Sequence, residues 1–247
     1  MSDPFLDKLL ADWDAEQQAE PQKPISAGRN SARVVPISPK APVYSVGLSP
    51  IQQLNKYSLT GQSAKLRQQM LADQFVLKNI AILGQWTTIY GAPNSGKTLI
   101  TNWLLKESLL SGDIDGKQVY YINADENQRG LVDKIELAED WGMNMIAPHH
   151  NKFAVSQIPE ILTELGDDGG ARGAVLVLDT LKKFTDLMDK RAASQFGIAA
   201  RGFVSTGGTL IALAHTNKHP DGDGKAVYQG TSDIVDDSDC CFVIDII

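Results

Sequence analysis

From residue 86 onward the chain alternates between short, almost wholly apolar runs and longer stretches whose apolar residues recur every three or four positions. Five runs fit strands: WTTIY (86–90), KQVYYIN (117–123), GAVLVLD (173–179), GTLIALAH (208–215) and CCFVIDI (240–246). Between them, residues 97–111, 128–141, 157–166 and 192–204 carry helical periodicity. Apolar strands separated by helices predict an α/β fold, a mostly parallel sheet with helices on both faces. In such sheets, ligands collect at the carboxyl ends of the strands.

Upstream the pattern weakens. Residues 46–80 read as a helical lead-in, with SPIQQLNKYSL and SAKLRQQMLADQFVL as two helices. The second places Leu66, Met70, Leu71 and Phe75 on one stripe, a pattern suited to core or subunit contact. Residues 21–43 contain five prolines and few large apolar groups and read as a flexible linker. Residues 5–18 put Phe5, Leu6, Leu9, Leu10 and Trp13 near one helical face. That helix is too short to persist alone, so it is either a frayed tail or a docking element for a protein partner or a neighbouring subunit. The expected organisation is a tail and linker over 1–45, the lead-in over 46–80 and a core over 81–247.

Composition narrows the class. With 247 residues, 43% of them hydrophobic, the chain can bury one substantial core and carry an extension. Its two cysteines, Cys240 and Cys241, are adjacent on a strand, which argues against a disulfide scaffold and a cysteine zinc site. No apolar run approaches the roughly 18 residues of a membrane helix, and the N-terminus is acidic where a signal peptide is basic. A cytoplasmic protein without a membrane partner is expected.

The formal charge of −7 is unevenly spread: residues 1–20 carry −5, residues 21–85 carry +7 and the remainder −9. A globally acidic chain has no overall drive toward nucleic acid, so any such contact needs a local basic surface.

The candidate chemistry begins with residues 91–98, GAPNSGKT, which match G-x-x-x-x-G-K-[ST]. By chance the pattern occurs in roughly one chain of this length per hundred. Its position between a strand and an amphipathic helix is what phosphate binding requires. Gly91 and Gly96 allow a tight loop, and the backbone from Ala92 and Pro93 through Asn94 and Ser95 to Lys97 and Leu99 can wrap a β-phosphate at a helix N-terminus. Lys97 would reach the β- and γ-phosphates, and the Thr98 hydroxyl would hold Mg²⁺.

Three further strand ends carry polar groups. VLVLDT ends in Asp179, suited to a second metal contact. YYINADEN ends in Asp125 and Glu126, either of which could activate water; the alternative is capping of the helix that starts near Gln128. This strand is expected near the strand ahead of Gly91. GTLIALAHTNKH places His215, Asn217 and Lys218 at a strand end, where His215 could sense a γ-phosphate and Lys218 could contact phosphate in its own subunit or a neighbour.

Together GAPNSGKT, YINADE, VLVLDTL, LAHTNKH and the later YQGTSDIVDDSD resemble the RecA-fold P-loop ATPases, in particular the branch of the RepA-type and DnaB-type hexameric replicative helicases. The resemblance covers residues 80–247. It implies ATP and Mg²⁺ as cofactors, Asp125 as catalytic carboxylate with Glu126 as second choice, and His215 as the γ-phosphate sensor. It also implies a homo-oligomeric ring or filament, with a hexamer as the family form, acting on single-stranded DNA.

Two channel loops are implied, one after Asp179 with Lys182, Lys183, Lys190 and Arg191, the other after Lys218 with His219 and Lys225 opposed by Asp221 and Asp223. Tyr228 is the one aromatic available as a platform there. The core is shorter than is usual for this branch, which points to a reduced, partner-dependent relative, with Arg201 and Lys218 as candidates to reach a neighbour's site. The expected function is therefore an oligomeric RecA-like ATPase acting in DNA replication, recombination or repair. The alternative is a nucleotide-gated assembly or recruitment protein without unwinding activity. A small-molecule kinase lacks a visible acceptor pocket or lid motif.

Overall fold

The computed structural model describes residues 48–69, 74–217, 222, 226–230 and 232–245. The calls on residues 1–47, on Met70 and Leu71, and on Lys218, His219, Asp221, Asp223 and Lys225 lie outside the described residues. The chain divides into two units, Met1–Ser58 and Leu59–Ile247. In the first, helix α1 (Pro50–Lys56) is set by a reciprocal cap: the Ser49 hydroxyl accepts from the Gln52 backbone, and the Gln52 side chain accepts from Ser49 N–H at 2.9 Å.

The second unit is an α/β domain. After α2 (Ser63–Gln69) come β1 (Phe75–Leu77), β2 (Ala81–Ile82), β3 (Trp86–Gly91), α3 (Lys97–Ser111), β4 (Val119–Asn123), α4 (Gln128–Trp141) and β5 (Asn144–Ile146). They are followed by α5 (Ile158–Asp167), β6 (Val175–Asp179), α6 (Lys190–Ser205), β7 (Thr209–His215), α7 (Asp233–Asp237) and β8 (Cys240–Ile244). Six strands form one sheet in the order β5-β4-β6-β7-β3-β8, with every pair parallel. This architecture is compatible with a Rossmann-like or RecA-like core.

The apolar strands are buried on both faces because alternate side chains feed two separate layers. From β7, Leu210, Ala212 and Ala214 enter the layer with Phe196 and Phe203 of α6 and Leu162 of α5. Ile211 and Leu213 enter the other, with Leu104 and Leu105 of α3 and Ala138 of α4. Gly208, just ahead of β7, lies against the ring of Phe203, where an added Cβ would collide with ring carbons. Gly208→Ala is therefore expected to cost about 1–3 kcal/mol through overpacking, read as a lower urea midpoint.

Several expectations need correction. Among the described residues the second lead-in helix spans Ser63–Gln69, and Phe75–Leu77 pairs antiparallel with β2 in a separate two-stranded sheet. Val76 and Leu77 are fully buried in the α3 layer, so tertiary burial overrides the helical stripe. The strand β4 does not neighbour β3: β6 and β7 lie between them. Strand β5 and helix α7 were not anticipated; at three and five residues they are too short to show a period. Lys190 and Arg191 open α6, where Asp189 caps the helix, rather than lying in a loop. Cys240 and Cys241 are free thiols. Among the described residues no helix is long and apolar enough to cross a membrane.

Candidate functional site

Sheet register brings the polar strand ends together. Gly91 lies beside His215, and Asn123 beside Asp179, so β3, β7, β6 and β4 all deliver their last residues to one edge. There a cavity of about 600 Å³ is lined by residues 93–99, Asn102, Asn123, Asp125, Glu126, Lys134, Leu137, Asp179, Thr180 and His215.

The loop between β3 and α3 turns back through Asn94, at φ 62°, and Gly96, at φ 84°, both left-handed conformations that Asn and Gly tolerate. Gly91 is held by close approach: a Cβ there would stand 2.7 Å from the Ser95 hydroxyl and 2.9 Å from the Ile244 carbonyl. Lys97 is only 6% exposed and donates to the Gly91 and Ala92 carbonyls at 2.9 and 2.8 Å. Burial lowers its pKa, and the charge of Lys182 adds to that, while Asp179 opposes it. Leu99 stands exposed at the rim, and the buried Ser95 hydroxyl and Asn102 amide oxygen have no hydrogen-bond partner. A loop with backbone N–H groups at a helix start and an under-solvated ammonium can receive an anion.

Opposite the loop, Thr98 donates to Asp179 Oδ2 at 3.0 Å and the Tyr121 hydroxyl donates to the same oxygen at 2.7 Å. The carboxylate is nearly buried, and the backbone of its strand is tied to the exit of β4 by Ala124 N–H donating to the Asp179 carbonyl at 2.7 Å. Among the described residues no group of three or more His, Cys, Asp or Glu side chains could hold a metal by itself. The pair Thr98 and Asp179 offers two hard oxygens side by side, which suits Mg²⁺ carried in with a phosphate ligand.

Asp125 and Glu126 both reach the cavity, and neither caps α4: that role falls to Asn127, whose side chain accepts from Gly130 N–H at 3.0 Å. Asp125 is half-exposed and pairs with Lys183 at 3.4 Å. Glu126 folds over the first turns of α4, close against Gly130, and pairs with Lys134 at 2.8 Å. Lys134 also stands 4.0 Å from Asp179 Oδ2. The sequence reading missed Lys134, although it falls at helical spacing between the buried Leu131 and Ala138. A lysine on a buried stripe was the available signal.

His215 is partly buried, and burial lowers its pKa, as do the charges of Lys182 and Lys97; Asp125 and the Gly91 backbone act the other way. The contact with Gly91 does not reach hydrogen-bond geometry, so neither ring nitrogen has a partner. The imidazole is thus held toward its neutral form with its hydrogen-bonding capacity unused.

No protein-family model matches the chain, and no curated protein does.

Two elements leave the site. After Asp179, a 3-10 turn (Leu181–Lys183) is anchored by buried Leu181, Phe184 and Leu187, while Lys182 and Lys183 stay exposed beside a second cavity of about 520 Å³. After His215, the chain returns at Tyr228: Thr216 bridges Tyr228, and Gln229 N–H donates to the His215 carbonyl at 2.9 Å. Tyr228 meets Tyr90 with ring centroids 5.8 Å apart and the planes tilted at 51°, and it packs against the core, so it is not a free platform. Arg201 is likewise committed within the chain, donating to the Asp237 carbonyl at 3.1 Å and pairing with Asp239 at 2.9 Å. It serves to fasten α6 to the entry of β8.

Proposed function

We propose that this chain is an ATP-binding and ATP-hydrolysing member of the RecA-like P-loop class that assembles with copies of itself and acts on single-stranded DNA. The observation that carries the reading is the convergence, in one cavity, of the 91–98 loop, the Thr98–Asp179 pair, the carboxylates Asp125 and Glu126, and the unpartnered His215.

In this reading the amides of the loop and Lys97 cradle the β- and γ-phosphates, exchanging the Gly91 and Ala92 carbonyls for phosphate oxygens. Mg²⁺, held through Thr98 and Asp179, would offset charge on the β- and γ-oxygens. Asp125 takes a proton from the attacking water, whose oxygen bonds to the γ-phosphorus as the bond to ADP breaks. His215 donates to the γ-phosphate and loses that partner with phosphate, a change its carbonyl passes to the Gln229 segment. Lys182 and Lys183, adjoining the site, are the groups placed to contact a DNA backbone; Lys183 can reach it by releasing Asp125.

Single-stranded DNA is expected to raise ATP turnover about tenfold or more at low salt, with the effect fading as salt screens phosphate contacts. The check is an ATPase titration with oligonucleotide across salt concentrations, alongside mass measurement with and without ATP. Assembly without any DNA effect would favour a second reading, a nucleotide-gated recruitment protein without unwinding activity. That reading is supported by Lys183, one of the two lysines after Asp179, being already paired with Asp125 at 3.4 Å. It predicts that deleting residues 1–45 abolishes partner capture while ATP binding persists.

A further inference from the structure

Tyr121 is fully buried in the layer between the sheet and α3 and α4, on the strand before the paired carboxylates. Packing alone would be served by phenylalanine, and a buried hydroxyl is costly without a partner. It has one: Asp179 Oδ2 at 2.7 Å. The phenol carries one proton to donate and a carboxylate oxygen can only accept, so the bond runs from Tyr121 to Asp179.

All hydrogen bonds to this carboxylate among the described residues fall on one oxygen. Oδ2 accepts from Tyr121 and from Thr98 at 3.0 Å, and Lys134 approaches the same atom at 4.0 Å. Thr98 lies at the start of α3, Tyr121 inside β4 and Lys134 on α4, so three elements fix the rotation of the side chain that ends β6. Oδ1 has no protein donor among the described residues. Thr98 can keep donating its proton to Oδ2 while its lone pairs face a cation, and Tyr121, which has no such second task, is the closer of the two donors.

We propose that Tyr121 is a positioning residue of the cation site: its buried hydroxyl clamps Asp179 through Oδ2 and so reserves Oδ1 for a divalent cation or its bound water. The inference rests on reading Asp179 as a cation contact. Outer-shell donors of this kind change metal affinity by roughly 10–100-fold when removed, because the ligand then samples rotations that do not meet the ion.

The test uses the full chain with a non-hydrolysable ATP analogue and Mn²⁺ as the probe, followed by electron paramagnetic resonance. Tyr121→Phe is expected to weaken Mn²⁺ binding by roughly 10–100-fold, to leave analogue affinity in EDTA unchanged, and to add nothing further in the Asp179→Asn background. Wild-type Mn²⁺ affinity in Tyr121→Phe, with Asp179→Asn impaired, overturns the role of Tyr121. Unchanged Mn²⁺ affinity in Asp179→Asn overturns the cation reading itself. If Tyr121→Phe does not fold, 3-fluorotyrosine at position 121 keeps the ring and donates a stronger hydrogen bond. It is expected to raise Mn²⁺ affinity about twofold or more by tightening the clamp, and an unchanged or lower value counts against the clamp.

Discussion

Replacing Lys97 by alanine is expected to weaken ATP binding by about 30-fold or more and to remove turnover with it. The ammonium is 6% exposed and satisfied by two neutral carbonyls of its own loop, at 2.9 and 2.8 Å. Burial lowers its pKa, which says that the charged form is under-compensated in this state. A polyphosphate arriving at the loop would supply the missing countercharge in a largely desolvated position, and losing one partner of such a pair costs about 2–5 kcal/mol. At about 1.4 kcal/mol per tenfold, that spans from over tenfold to thousands-fold in affinity. Calorimetric titration with ATP and Mg²⁺ measures it directly. Undiminished affinity in Lys97→Ala would remove the loop from the nucleotide site.

The second large effect separates the two neighbouring carboxylates. Asp125→Asn is expected to lower single-turnover hydrolysis by about 100-fold to 1000-fold while ATP binding stays near wild type, the size of a lost general base. Glu126→Gln should be milder. Glu126 is held on α4 by Lys134 at 2.8 Å, whereas Asp125 keeps only a longer, half-exposed contact with Lys183 and acts on the His215 imidazole. An exposed pair of that kind is worth about 1 kcal/mol or less, so it can open during a catalytic cycle. The measurement is a rapid-mixing assay of phosphate release from pre-bound ATP. A reversed order of the two variants would make Glu126 the base and leave Asp125 as the partner of Lys183.

The strands and helices that frame the cavity were legible because each announces itself locally. Buried parallel strands are continuous apolar runs, and α4, α5 and α6 repeat their apolar residues every three to four positions. The loop from Gly91 to Thr98 was legible for the same reason, since its glycines, lysine and threonine are adjacent in the chain. The rule that polar groups collect at carboxyl ends then located Asp125, Asp179 and His215 correctly at one edge.

What remained hidden depended on partners far apart in sequence. Local pattern predicted a helix through Phe75–Leu77, but burial against α3 makes it a strand. It set β4 near β3 without showing that β6 and β7 lie between them. Arg201 was a candidate to reach a neighbouring subunit, and its partners within the chain, Asp237 and Asp239, are 36 and 38 residues away in sequence. By itself the sequence determined the strands and helices that frame the cavity and the glycine-bounded loop between β3 and α3, because hydrophobic period and glycine geometry act over a few residues. Only the tertiary structure decided the strand order and the partners of each charge: Tyr121 and Thr98 on one oxygen of Asp179, Lys134 on Glu126, and Lys183 on Asp125. Those pairings follow from how two core layers pack across the sheet, a long-range energy that no short window of residues contains.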